Sequence, residues 1–355
     1  MTTIPRSIAA FLLTLAISAL GGGLAAFFGL PAGWLMGGAL AVTIAAMAGA
    51  PMDIPSPARN VVFILIGMTM GASVAPDSLT LLASWPVSLT ALAIELVIIV
   101  AVTGWMLTRF FGLDVGTAYL SSFPGHLTFV LGIAATGVGN PRQIVIIQVI
   151  RILMLTIAVP LGSMFLPFGA PTVPPVDVPD LSALQLIVLA LGCFLTGLLF
   201  ERLKVPAGMV LGAMAAATVA KLGGLYTEGL PGPLVIATFI LTGALIGSRF
   251  VGITLAEFIA AAKGGLIATV LTLAIVTLVT QAVAQLVDMP FGQIWLGLSP
   301  GALEGMGALG IALGYDTAFI GAHHVIRLLL LSFAIPVVVL IIRRHERSLA
   351  QQRHN

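Results

Sequence analysis

Two arginines stand where charge is expensive. Arg151 and Arg327 each fall near the middle of an apolar run of membrane-spanning length, 142–163 and 317–342, and an arginine at mid-membrane depth costs roughly 2.5–3.5 kcal/mol on insertion scales. Three residues before each stands another polar side chain, Gln148 in one run and His324 in the other. Positions i and i+3 share a helix face, so each run presents one polar pair in one direction. A guanidinium grips carboxylate or phosphate with two parallel hydrogen bonds, which points to a small anionic or zwitterionic solute. The simpler alternative is structural: each arginine pairs with a buried acid, or with carbonyls exposed by a helix break in the other half of the chain. The two readings are compatible.

Such breaks lie upstream of both pairs, at Pro124-Gly125 and Pro300-Gly301. Proline removes a backbone donor and glycine permits unusual dihedrals. In lipid, the backbone groups this frees are tolerated only where protein or a watery cavity satisfies them. The positive end of a half-helix starting there suits an anion, although a plain kink is the alternative. The expected binding set is therefore Pro124, Gly125, Gln148, Arg151, Pro300, Gly301, His324 and Arg327. Glu304 follows the second break where the first half has Thr128. An acid in a broken helix is a natural proton or cation site and a counter-charge for an arginine; it could equally cap backbone. Glu95, inside the run 86–110, and Asp316, in the polar turn before the last run, complete the expected proton- or ion-coupling set. His126, His323 and His324 do not suggest a metal centre, because adjacent histidines on one helix point about 100° apart. No cofactor is expected.

The elements that must position these residues occur twice. Pro124 to Pro160 returns without a gap as Pro300 to Pro336, 176 positions later, with Ile144, Val149-Ile150-Arg151 and Leu155 meeting Ile320, Val325-Ile326-Arg327 and Leu331. Further upstream, Gly22, Pro31, Ala32, Gly33 and Gly37 meet Gly197, Pro206, Ala207, Gly208 and Gly212. The first apolar run, preceded by Arg6, has a twin in this repeat, so it is expected to be retained rather than cleaved as a signal peptide.

Apolar runs appear at about 7–29, 32–50, 59–76, 86–110 and 142–163, and again at about 181–200, 206–222, 231–248, 264–287 and 317–342. With 59% hydrophobic and only 8% charged residues, against about 25% charged in soluble domains, the chain reads as a polytopic membrane protein. Its formal charge of +2 is too small to suggest nucleic acid, and one cysteine excludes an intramolecular disulfide. Ten spans with re-entrant Pro-Gly stretches place twelve of the fifteen lysines and arginines on one side and only Lys221 opposite, the two buried arginines aside. The positive-inside rule then makes both termini cytoplasmic.

The expected fold is an all-α polytopic membrane protein of two repeats. Each has five transmembrane helices and a re-entrant or broken Pro-Gly segment, and the odd span count inverts one repeat relative to the other. The divisions are 1–163, first membrane repeat; 164–180, Pro-rich linker; 181–342, second membrane repeat; and 343–355, basic cytoplasmic tail. Gly67-x-x-x-Gly71 and Gly243-x-x-x-Gly247 could pack helices within one chain or join a homo-oligomer.

Ser299-Pro-Gly-Ala-Leu-Glu-Gly-Met306, Asp316 to Phe319 and Ala322-His-His-Val-Ile-Arg327 resemble the bacterial membrane AbrB family. The family is known for a duplicated domain, and the resemblance covers essentially the whole chain. Phe123-Pro-Gly-His-Leu-Thr-Phe129 departs from the pattern by lacking the acid and methionine that often follow Pro-Gly. Members carry labels as different as regulator of aidB expression and ammonia monooxygenase, so the resemblance implies little firm biochemistry.

The residues favour a secondary transporter moving its solute by alternating access, with proton coupling through Glu304 and His324. A membrane sensor or regulator of gene expression is the second reading, weakened by terminal tails of about six residues and a dozen. A membrane oxidoreductase is the third, disfavoured for want of metal ligands. The expected partners are the lipid bilayer and a small-molecule solute, and the chain is not expected to be an enzyme.

Overall fold

A computed structural model of the chain describes residues 6–74, 85–125, 127–165 and 179–354, with backbone alone at 6, 128 and 345–354. His126 and most of the expected linker therefore lie outside the described residues, as do the side chains of Thr128 and of 345–355.

Fourteen helices are described. The first seven are α1 (Arg6–Phe27), α2 (Gly33–Met47), α3 (Ser56–Ala72), α4 (Trp85–Phe111), α5 (Val115–Ser122), α6 (Leu127–Ala134) and α7 (Pro141–Ser163). The second seven are α8 (Ala183–Arg202), α9 (Gly208–Leu222), α10 (Gly232–Ser248), α11 (Leu255–Val283), α12 (Phe291–Leu298), α13 (Leu303–Leu313) and α14 (Thr317–His354). The two series match element for element down to backbone detail. Both α2 and α9 start after an alanine in the left-handed region, Ala32 at φ 51° and Ala207 at φ 54°. Such a conformation is rare for residues with a Cβ.

Among the described residues, six helices are long and apolar enough to cross a membrane: Ser7–Phe27, Trp85–Phe111, Pro141–Ser163, Ala183–Arg202, Leu255–Val283 and Thr317–Arg344. The other four expected spans are shorter than their apolar runs. Helices α2 and α9 have 15 residues each, and α3 and α10 have 17, or about 22–26 Å at 1.5 Å per residue. A hydrocarbon core is about 30 Å thick. The left-handed Ala32 and the turn at Gly49, both with positive φ, consume the remainder of the run around α2. At the far end α14 continues without interruption into the segment expected as a separate tail.

The short helices join the two halves. Helix α3 packs on α9, and α10 packs on α2, with the GxxxG glycines at both contacts. A Cβ on Gly67 would meet Ala213 Cβ at 2.8 Å and Met214 N at 3.0 Å; one on Gly243 would meet Leu35 O at 2.7 Å and Ala39 N at 3.0 Å. These motifs therefore serve close approach within the chain. Lys221, at the end of α9, donates to the carbonyl of Ala72 at the C-terminus of α3, where a cation is favoured.

Polarity is distributed inside out. Phe27, Leu184, Leu278 and Phe333 are exposed, whereas Glu95, Gln148, Arg151, His323, His324 and Arg327 are buried. That pattern fits a protein whose surroundings are lipid.

A four-arginine cavity at the helix breaks

Both Pro-Gly dipeptides interrupt a helix. Phe123 (φ −63°, ψ 124°) ends α5 and Ser299 (φ −59°, ψ 135°) ends α12, each in the extended conformation that a following proline imposes. The glycines then serve different ends. Gly125 takes φ 102°, which other residues avoid, and a Cβ there would meet only ordinary contacts. At Gly301 the constraint is space, since a Cβ would lie 2.5 Å from Met306 Cγ.

The half-helices α5 and α12 fold back against α7 and α14 and are fastened there by equivalent side chains. Asn140 N donates to Thr117 Oγ1 (2.7 Å), and Asp316 N donates to Gln293 Oε1 (3.3 Å). Gln148 Nε2 donates to Leu120 O and His324 Nε2 meets Leu296 O, both at 3.1 Å. Arg151 donates to Ser121 O (3.3 Å) and Phe123 O (2.9 Å). Arg327 donates to Ser299 O (2.5 Å) and Gly301 O (2.7 Å), and its Nη2 also contacts His324 Nδ1. Each arginine thus neutralises carbonyls freed by a Pro-Gly break. The break is the one in its own half, not in the other half as the structural alternative had it, because each half-helix folds back against the long helix that follows it.

These contacts leave donors over. Arg151 is 5% exposed and Arg327 1%, and the Nε of each has no hydrogen-bond partner. Both side chains line one cavity of about 620 Å³, together with Gly125, Gln148, Pro300, Gly301, Glu304 and His324. Seven of the eight expected binding residues therefore meet in one place, from both halves. Pro124 does not line the cavity.

The expected coupling acids part company. Glu304, in the first turn of α13, lines the cavity and pairs with Arg249 at the end of α10, not with Arg327. Asp316 caps α14, accepting from Ala318 N at 3.0 Å, as Asn140 caps α7; it does not line the cavity. Glu95 lies on the inward face of α4 with Ser88 and Leu92. Both of its oxygens are buried without a hydrogen-bond partner, and it acts on Arg327 electrostatically. His323 turns away from the cavity, bonding Phe319 O and Ser88 Oγ, each at 2.8 Å.

Two further arginines line the cavity, Arg59 from α3 and Arg249 from α10. Sequence reasoning counted both only towards the charge bias of one membrane face. The repeat could not have found them, since at its offset of 176 Arg59 meets Val235 and Arg249 meets Ser73. Among the described residues the cavity is therefore lined by four guanidinium groups and a single carboxylate, an arrangement suited to holding an anion.

The long apolar helices and the buried polar side chains define a polytopic helical membrane protein. The chain belongs to the AbrB family, whose model, described as transition state regulatory protein AbrB, matches residues 34–343. It is 27% identical over 310 residues to a protein of Escherichia coli (strain K12) named "Putative regulator AbrB", covering 84% of this chain and 86% of that one. It is 22% identical over 351 residues to one of Bacillus subtilis (strain 168) named "Uncharacterized protein YhjN", covering 91% and 90% respectively.

Proposed function

We propose that the protein is a secondary transporter that carries a small anionic or zwitterionic solute unchanged across the bacterial inner membrane. Two halves of inverted topology, each with five spans and a re-entrant Pro-Gly segment, rock about a central site, with both termini cytoplasmic. The observation that carries this reading is the 620 Å³ cavity where both helix breaks meet four arginines. Arg151 and Arg327 tie the breaks and face the solute with their spare donors. Glu304 and His324 provide proton coupling, with Glu95 behind Arg327.

Reconstituted protein is expected to take up at least one of radiolabelled succinate, glutamate or phosphate, and to lose that uptake with Arg151→Lys or Arg327→Lys, whose ammonium cannot span two carbonyls and a solute. Uptake of none of them by folded protein would refute the proposal. A regulatory role is suggested by the name of the Escherichia coli relative; it predicts a change in gene expression on deletion that a transport-dead variant restores.

A further inference from the structure

The charge inside the cavity is lopsided in a way that assigns a role to its one acid. Glu304 pairs with Arg249 at the end of α10 and shares the cavity lining with Arg59 from α3, Arg151 from α7, and His324 and Arg327 from α14; α12 offers no titratable group. Of four guanidinium groups, Arg151 and Arg327 are committed to backbone carbonyls, and Arg59 has no acidic partner among the described residues. Only Arg249 holds a carboxylate, and the chain itself supplies it. The pair is not sealed in, for the two side chains are 25% and 12% exposed.

Glu304 also has somewhere else to go. Helix α13 starts at Leu303, and its N-cap, Ala302, provides no side-chain cap for the first turn; Ala302, Leu303 and Glu304 all line the cavity. An acid in the first turn is favoured by the helix dipole and by free backbone donors, so Glu304 can leave Arg249 without becoming an isolated charge. Arg151 and Arg327 line the same space.

We propose that Arg249 is a solute-binding residue and that Glu304 is its tethered occupant, holding the place that a carboxylate of the incoming solute takes. This rests on the transport reading and narrows its solute to a carboxylic acid anion. Loading is then an exchange: the solute carboxylate displaces Glu304 from Arg249, and Glu304 turns to the start of α13. No covalent bond changes. With Arg249 occupied in this way, the empty carrier keeps its cavity partly neutralised.

The test is a thermal-shift titration of full-length protein in detergent with acetate, succinate and glutamate, and with inorganic phosphate for comparison. Glu304→Gln, which keeps the shape and removes the competing charge, is expected to bind the carboxylates about tenfold more tightly than wild type, the worth of one charge-assisted hydrogen bond. Glu304→Gln combined with Arg249→Gln is expected to lose that gain. Glu304→Asp, which shortens the reach to Arg249, is expected to tighten binding in part, and decides the matter should Glu304→Gln not fold. Equal or weaker carboxylate binding by the folded variants overturns the inference, and leaves the transport reading in place as long as wild type binds. A gain that survives in the double variant, or one seen with phosphate alone, overturns it as well. If nothing stabilises wild type or any folded variant, it is the transport reading that falls.

Discussion

Gly243→Ala tests the joint between the two halves. In α10 the added Cβ would meet Leu35 O at 2.7 Å, Ala39 N at 3.0 Å and Gly38 C at 3.3 Å. All three are backbone atoms of α2, so no rotamer change relieves the contact and the helices themselves must separate. Overpacking of this kind costs about 1–3 kcal/mol, while Gly→Ala within a helix gains about 0.8–1.0 kcal/mol in propensity. Gly192→Ala in α8 provides the reference, because a Cβ there meets nothing within 4 Å. The propensity gain is common to both variants and cancels in their difference, so Gly243→Ala should be less stable than Gly192→Ala by about 1–3 kcal/mol. The midpoint of reversible unfolding in mixed micelles, followed by helical circular dichroism, reads this directly. Equal midpoints for the two variants would refute the close packing of α10 on α2.

Three other outcomes are expected. Ser88→Ala strips His323 Nε2 of its 2.8 Å partner and should lower stability by about 1–3 kcal/mol, the usual penalty for a buried polar group left unpaired, in the same unfolding assay. Asp114→Ala and Asn140→Ala each remove a side-chain cap, from α5 and α7, and each should cost about 0.5–2 kcal/mol. Cys193, the single cysteine, is fully buried. It should therefore resist maleimide in the folded protein and react once the protein unfolds in SDS, so rapid labelling of the native state would contradict its placement.

What the sequence revealed about the site came from two physical signals. A charge inside an apolar run is conspicuous by its cost, which exposed Arg151 and Arg327, and duplication separated their Pro-Gly partners from chance. Arg59 and Arg249 gave no such signal. They sit near helix ends, where an arginine looks like any charge at the membrane surface, and only the packing of α3 and α10 turns them towards the breaks. Nor could spacing say which carbonyls the buried arginines hold, because that depends on α5 and α12 folding back, which the side chains at Thr117 and Gln293 secure. The lengths of α2 and α9 were overestimated for a related reason. Hydropathy does not register the left-handed turns at Ala32 and Ala207, so apolar residues in the turns were counted as helix. The class of protein was plain from composition, whereas the use of GxxxG between halves rather than between copies required coordinates.

The interlocking of the short helices bears on the order of synthesis. Gly67 finds its neighbour at Val210, and Gly243 finds its own at Leu35, so neither contact can form until α9 and α10 have been made. At a translation rate of about 5–20 residues per second, the first half waits on the order of ten seconds in the bilayer with its glycine faces against lipid. Tertiary structure in this chain is thus completed only by its second half, and two separately made halves should assemble only when they share a membrane.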